Sequence, residues 1–154
     1  MRNNKIKIVF LLLVLLLFIM GCSLSFKAEV PSGFAVSKKS GNFLIYSPDG
    51  FKIRIKAEKN TPKKDIVFWS EALKTHLTNS GYFLLDETSF NSVNIEGKRI
   101  TWLMPVNHDY YKYMTAIGVK GSRIYIIEAS GERGLFDSYE EDIEKIISSV
   151  YAKR

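Results

Sequence analysis

Asn42-Phe43-Leu44-Ile45-Tyr46-Ser47-Pro48-Asp49-Gly50-Phe51-Lys52-Ile53-Arg54-Ile55-Lys56 is the stretch on which the fold turns. Phe43 to Tyr46 is apolar without a break, as in a strand covered on both sides. Ser47-Pro48-Asp49-Gly50 is a tight turn: proline presets one central dihedral and glycine supplies a positive one. From Phe51 to Lys56 apolar and basic residues alternate strictly, the period of a half-buried strand. Phe51, Ile53 and Ile55 then face the core, and Lys52, Arg54 and Lys56 face water. The whole is a β-hairpin.

Downstream, Thr61-Pro62 predicts a helix start, with threonine as N-cap and proline in the first turn. That helix runs to about Asn79 and stops at Gly81, with a stripe of Phe68, Ala72, Leu73 and Leu77 flanked by Trp69 and His76. Tyr82–Leu85 reads as a short strand. Glu96-Gly97 is a turn before a strand from Arg99 to Met104, and Pro105 ends that strand or places it at an edge. Tyr110–Val119 and Arg123–Ala129 form a hairpin about Lys120-Gly121-Ser122. Ile124 to Ile127 is apolar throughout, so that strand is expected to be buried on both faces. Tyr139, Ile143, Ile146, Ile147 and Val150 repeat at helical spacing. Asp137 with Glu140 fits a capping box; three acids at its start and Lys153 and Arg154 at its end suit the helix dipole. Gly131–Gly134 reads as a flexible connection.

The order β–β–α–β–β–β–β–α, with hairpins in place of crossovers, predicts an α+β fold: an antiparallel β-sheet with helices on both faces. A similar order, with Tyr46–Phe51 at the first turn and Phe136, Ile143, Ile146 and Ser149 along the last helix, is found in the PsbP-like family. That family includes the photosystem II extrinsic protein and the Ran-GTPase release factors, and the resemblance covers residues 42–151. It implies a PsbP-like α/β/α sandwich and a non-enzymatic accessory or binding role.

The first residues carry a different message. Arg2, Lys5 and Lys7 precede Ile8–Met20, 13 apolar residues in a row. A membrane-spanning helix needs about 20, whereas this length suits the apolar core of a signal peptide. Ile19-Met20-Gly21-Cys22 resembles the lipobox of bacterial lipoproteins. The resemblance implies cleavage between Gly21 and Cys22, diacylglycerol on the Cys22 sulfur and an acyl chain such as palmitate on its amino group. Residues 1–21 are then a signal peptide, 22–41 a lipidated N-terminus and tether, and 42–154 the globular domain. Ser23, where an aspartate resembles an inner-membrane retention signal, points to the outer membrane, periplasmic side, in a cell that has one.

Cys22 is the chain's one cysteine. Once lipidated, it leaves no thiol for a disulfide, a metal or a nucleophile. Cleavage also removes three of the 22 Lys and Arg residues and none of the 16 acids, so a formal charge of +6 becomes +3. That modest charge and an exported location exclude a nucleic-acid binder.

The chain lacks a nucleophile elbow, a phosphate-cradling loop and a zinc-protease helix motif. His76 and His108 do not have metal-ligand spacing, and no cofactor or metal is expected. The candidate interaction patch comprises the basic stripe Lys52, Arg54 and Lys56, extended by Lys59, Lys63 and Lys64, and the aromatic run Tyr110, Tyr111 and Tyr113. Tyr111 and Tyr113 share one strand face; Tyr110 takes the other. The expected function is a lipid-anchored envelope protein acting as a non-enzymatic accessory or binding module. It would have an envelope protein partner and a membrane attachment through Cys22. The alternatives are a small hydrolase using His108 and Asp109, and a small-ligand carrier with an apolar pocket between sheet and helix.

Overall fold

The computed structural model describes residues 25–39, 41–92, 95–106 and 109–153. Gly21, Cys22, the signal segment and His108 lie outside the described residues. The elements are β1 (Ser25–Lys27), β2 (Ala35–Lys39), β3 (Asn42–Tyr46), β4 (Lys52–Lys59), α1 (Ile66–Asn79), β5 (Phe83–Asn91) and β6 (Glu96–Val106). They continue with β7 (Asp109–Lys120), β8 (Arg123–Glu132), α2 (Arg133–Ser138), α3 (Glu140–Ser149) and β9 (Tyr151–Lys153).

Alternation places the strands as expected. β3 and β4 pair through the Ser47–Gly50 turn, with Ile45 opposite Ile53. The turn closes on itself: the Phe51 amide donates to Ser47 Oγ at 2.8 Å, and Gly50 has φ +89, a value that favours glycine. Seven strands make one antiparallel sheet in the order β2-β3-β4-β8-β7-β6-β5. β2 draws the sheet back into the stretch expected as tether, and β1 pairs with β9 in a small second sheet.

The two sheet faces are covered differently. On one, Phe43, Ile45, Ile53, Ile55, Met114, Ala116, Ile127 and Ala129 pack against Phe136, Ile143, Ile146, Ile147 and Val150 from α2, α3 and the residue after them. Each buried Ile, Val, Phe or Met side chain among them contributes about 1.5–3 kcal/mol. On the other face α1 lies against β5, β6 and β7 and buries Leu77 over Ile100 and Trp102. The sheet with helices on both faces is the α+β sandwich expected.

Several local expectations need correction. α1 begins at Ile66, not Pro62, and its cap is Asp65, whose carboxylate accepts the Phe68 amide at 2.8 Å. The reason is Asn60, 5% exposed. Its side chain binds both Lys64 backbone groups, the Trp69 indole and the Gly121 carbonyl, and so holds residues 60–64 out of the helix. α1 buries Ser70 and Leu77, while Phe68 is 44% exposed and Ala72 is also exposed. Its end is as read: Tyr82 and Gly81 amides return to the Leu77 and Thr78 carbonyls.

β5 runs to Asn91, well past Leu85. Pro105 lies inside β6, but beyond Leu103, the last β6 residue paired to β5, where β6 is an edge strand on that side. Gly131–Gly134 is not a loop, because β8 continues to Glu132 and α2 starts at Arg133. Gly131 is needed there for another reason: a Cβ would meet Phe51 Cδ2 at 2.8 Å. Asp137 is no cap; it sits within α2 and pairs with Lys112. Lys153 does not extend α3 either, but pairs with Ser25 in β9. Among the described residues no helix is long and apolar enough to cross a membrane.

Candidate functional site

α1 covers only half of its face. The register leaves the other half, built from β3, β4 and β8, with mostly polar side chains and no described helix over it. Arg54 stands opposite Glu128, Leu44 opposite Arg54, Tyr46 opposite Lys52 and Lys52 opposite Ser130. With Asn42, and with Tyr113 from β7, these residues line a groove of about 430 Å³.

A three-residue network crosses the groove floor. Arg54 Nε donates to Glu128 Oε2 at 2.5 Å, and the Tyr113 hydroxyl donates to Glu128 Oε1 at 2.9 Å. The bond to Glu128 raises the Arg54 guanidinium pKa further. Burial pushes the Tyr113 phenol well above its ordinary value, so it stays protonated and remains a donor. The Tyr113 ring meets Tyr82 edge-on, with centroids 5.9 Å apart, which joins the groove to the end of α1. At the other side the Lys52 ammonium lies 5.8 Å from the Tyr46 ring centroid.

The sequence-predicted patch is divided by this arrangement. Lys52, Arg54 and Tyr113 meet in the groove. Lys56 continues the same face but pairs with Glu58 at 3.7 Å. Tyr111 shares Tyr113's face, and Tyr110, 54% exposed, belongs to the opposite one. The three tyrosines therefore form no single surface with the basic stripe. His76 is exposed on α1. Asp109 opens β7 beside His108, which is outside the described residues. No cluster of metal ligands occurs among the described residues.

Glu128, Asn42 and Ser130 were not singled out from sequence. Glu128 had a signal: it is the lone acid in the buried run Ile124–Ala129, and a charge there needs a partner. Naming Arg54 as that partner requires the β4–β8 register, which joins residues 74 apart.

Chemically the groove holds one carboxylate, two cations, two phenols, a hydroxyl and an amide beside Leu44. It pairs donors with acceptors instead of concentrating one sign of charge. A second, wider cavity of about 810 Å³ lies between residues 27–29 and the Glu144–Ser149 end of α3, where the Glu29 amide donates to Ser149 Oγ at 2.8 Å. The first opens on the bare half of the large sheet, and the second lies between α3 and the chain leaving β1.

No protein-family model matches the sequence, and no curated protein matches it. Solved structures do match. LpqN of Mycobacterium tuberculosis, a protein involved in cell envelope biogenesis, superposes with a TM-score of 0.63 at 12% identity, over 85% of this chain and 84% of its own. The cyanobacterial PsbP of Synechocystis gives 0.59 at 7% identity, over 88% and 96%. A Bacteroides thetaiotaomicron protein gives 0.54 at 19% identity, over 84% of this chain; the present chain spans 45% of that one. At these identities the likeness establishes the fold, and that fold is PsbP-like.

Proposed function

We propose that the protein is a non-enzymatic binding module of the bacterial cell envelope. It is anchored by lipid on Cys22 and uses the groove of Arg54, Glu128 and Tyr113 to hold a protein partner of a larger envelope complex. The observation that carries this reading is the half-covered sheet face. A helix protects β5 to β7, while β3, β4 and β8 carry an open, largely polar groove of about 430 Å³. Its groups suit recognition: donors and acceptors fixed on strands, with Leu44 and Tyr46 for apolar contact. None of the eight lining residues is a histidine or a cysteine, and the Tyr113 phenol keeps its proton. The kinship in fold with an envelope-biogenesis protein agrees with an envelope setting.

The test is isolation of the full-length protein from solubilised membranes as wild type, Arg54→Ala, Glu128→Gln and the remote control Lys145→Ala. One stoichiometric partner is expected with wild type and control, reduced about tenfold or more in the groove variants. A partner retained equally by the groove variants would place binding elsewhere. A bound small molecule without a protein partner would favour a carrier. A hydrolytic activity lost in His108→Ala would favour an enzyme.

A further inference from the structure

One end of the sheet gathers cations that form no ion pair with any described residue. β4 ends and β8 begins there, with Lys59 opposite Arg123, and Lys120 is Arg123's partner across the β7–β8 turn. Asn60 ties the following loop to that turn through the Gly121 carbonyl, which brings Lys63 and Lys64 alongside. The carboxylates nearest in sequence are engaged: Glu58 with Lys56, and Asp65 in capping α1. Among the described residues Lys59, Lys63, Lys64, Lys120 and Arg123 form no ion pair, and all are exposed or half-exposed. On its α1 side the same end exposes apolar surface. Val67 is 60% and Phe68 44% exposed in the first turn of α1, and Lys64 Nζ lies 5.2 Å from the Phe68 ring centroid.

The chain also enters the domain at this end. β5 stops and β6 starts there, and Ser92 Oγ from their connection donates to the Val150 carbonyl. Val150 leads into β9, which pairs with β1, so that Ser25 lies opposite Lys153. Four strand spacings separate β4 from β5, about 20 Å. Cys22 lies three residues before Ser25, at most about 10 Å along the chain. A lipid on Cys22 would therefore hold this end, and not the opposite one, at the bilayer.

We propose that the end formed by Lys59, Lys63, Lys64, Lys120 and Arg123, with Val67 and Phe68, docks on an anionic lipid bilayer and fixes the orientation of the anchored domain. Cations meet the headgroups, and the two apolar side chains enter the headgroup–acyl boundary. Tethering supplies the local concentration that makes contacts of this size effective. The docked domain turns its Ser47–Gly50 end, and the groove mouth beside it, away from the membrane.

The proposal rests on anchoring at Cys22, which flotation of the protein on phosphatidylcholine vesicles reads separately. The test uses the acylated full chain carrying Val67→Cys, a free thiol for a nitroxide because Cys22 is blocked. Arg133→Cys at the far end is the control position. On vesicles containing phosphatidylglycerol, the Val67 label should be about fivefold less accessible to a water-soluble relaxing agent than on phosphatidylcholine alone. High salt, or combined Lys63→Glu, Lys120→Glu and Arg123→Glu changes, should restore access, and the Arg133 label should stay accessible throughout. Three results would overturn the proposal in an anchored protein: equal access on both vesicles, shielding that survives charge reversal, or equal shielding at Arg133. Shielding in detergent without vesicles would assign the surface to a second copy, and shielding only when other membrane proteins are added would assign it to a protein; either overturns it too.

Discussion

Phe51 is 1% exposed, and the far half of the sequence closes over it. Tyr139 stacks on its ring with centroids 5.0 Å apart, and Phe136 meets it edge-on at 5.8 Å. The Tyr139 hydroxyl then donates to Asp49 in the turn at 2.9 Å. The turn and the last helices are thus one packing unit, and of the residues that carried the family resemblance Phe51 and Phe136 pack together in it. Phe51→Ala is expected to lower stability by about 3–5 kcal/mol, read as a fall in the urea midpoint at unchanged slope. Phe51→Leu should lose much less; a loss below about 1 kcal/mol for the alanine variant would contradict this role. The turn itself was legible, because Pro48, Gly50 and the alternation after them act within a few residues. Tyr139 over Asp49 was not, since 90 residues separate them. Glu128 under Arg54 was hidden for the same reason.

Elements were legible where their pattern was local, and misread where a distant group set their ends. The isoleucines of α3 are buried as their spacing requires. Its end was overextended because Lys153 has its pairing partner at the start of the described chain. α1 was started four residues early because Asn60 binds residues 60–64 from outside the helix. α1 is also fastened to β5 by charge: Lys74 Nζ lies 2.8 Å from Glu87 Oε2, and Lys98 lies 3.5 Å from its other oxygen. The bond from Lys74 holds the Glu87 carboxyl below its ordinary value, with burial opposing and the two charges assisting. A lowered folded-state pKa gives stability above the ordinary value of 4.5, lost as pH falls through the lowered one. Glu87→Gln should therefore be less stable than wild type at about pH 7, by roughly 0.5–1 kcal/mol, and the deficit should shrink as the pH falls below 4.5. A deficit that persists undiminished in acid would show that the pair is not its source.

At the scale of the whole molecule, the fold sets two ends and two faces. One sheet face is sealed by α2 and α3; the other is half covered by α1 and half open as the groove. One end carries the chain's entry and the unpaired cations; the other carries the Ser47–Gly50 turn. The layered fold was legible from element order, whereas the groove was not, because it depends on how far α1 reaches across the sheet. In the proposed account, all of this works at a membrane surface through lipid on Cys22. The intact mass of the protein extracted from native membranes tests that claim most directly. The account predicts a chain beginning at Cys22 and carrying diacylglycerol and an acyl group, and an unacylated product from Cys22→Ala. A wild-type chain that retains residues 1–21 and bears no lipid would contradict it.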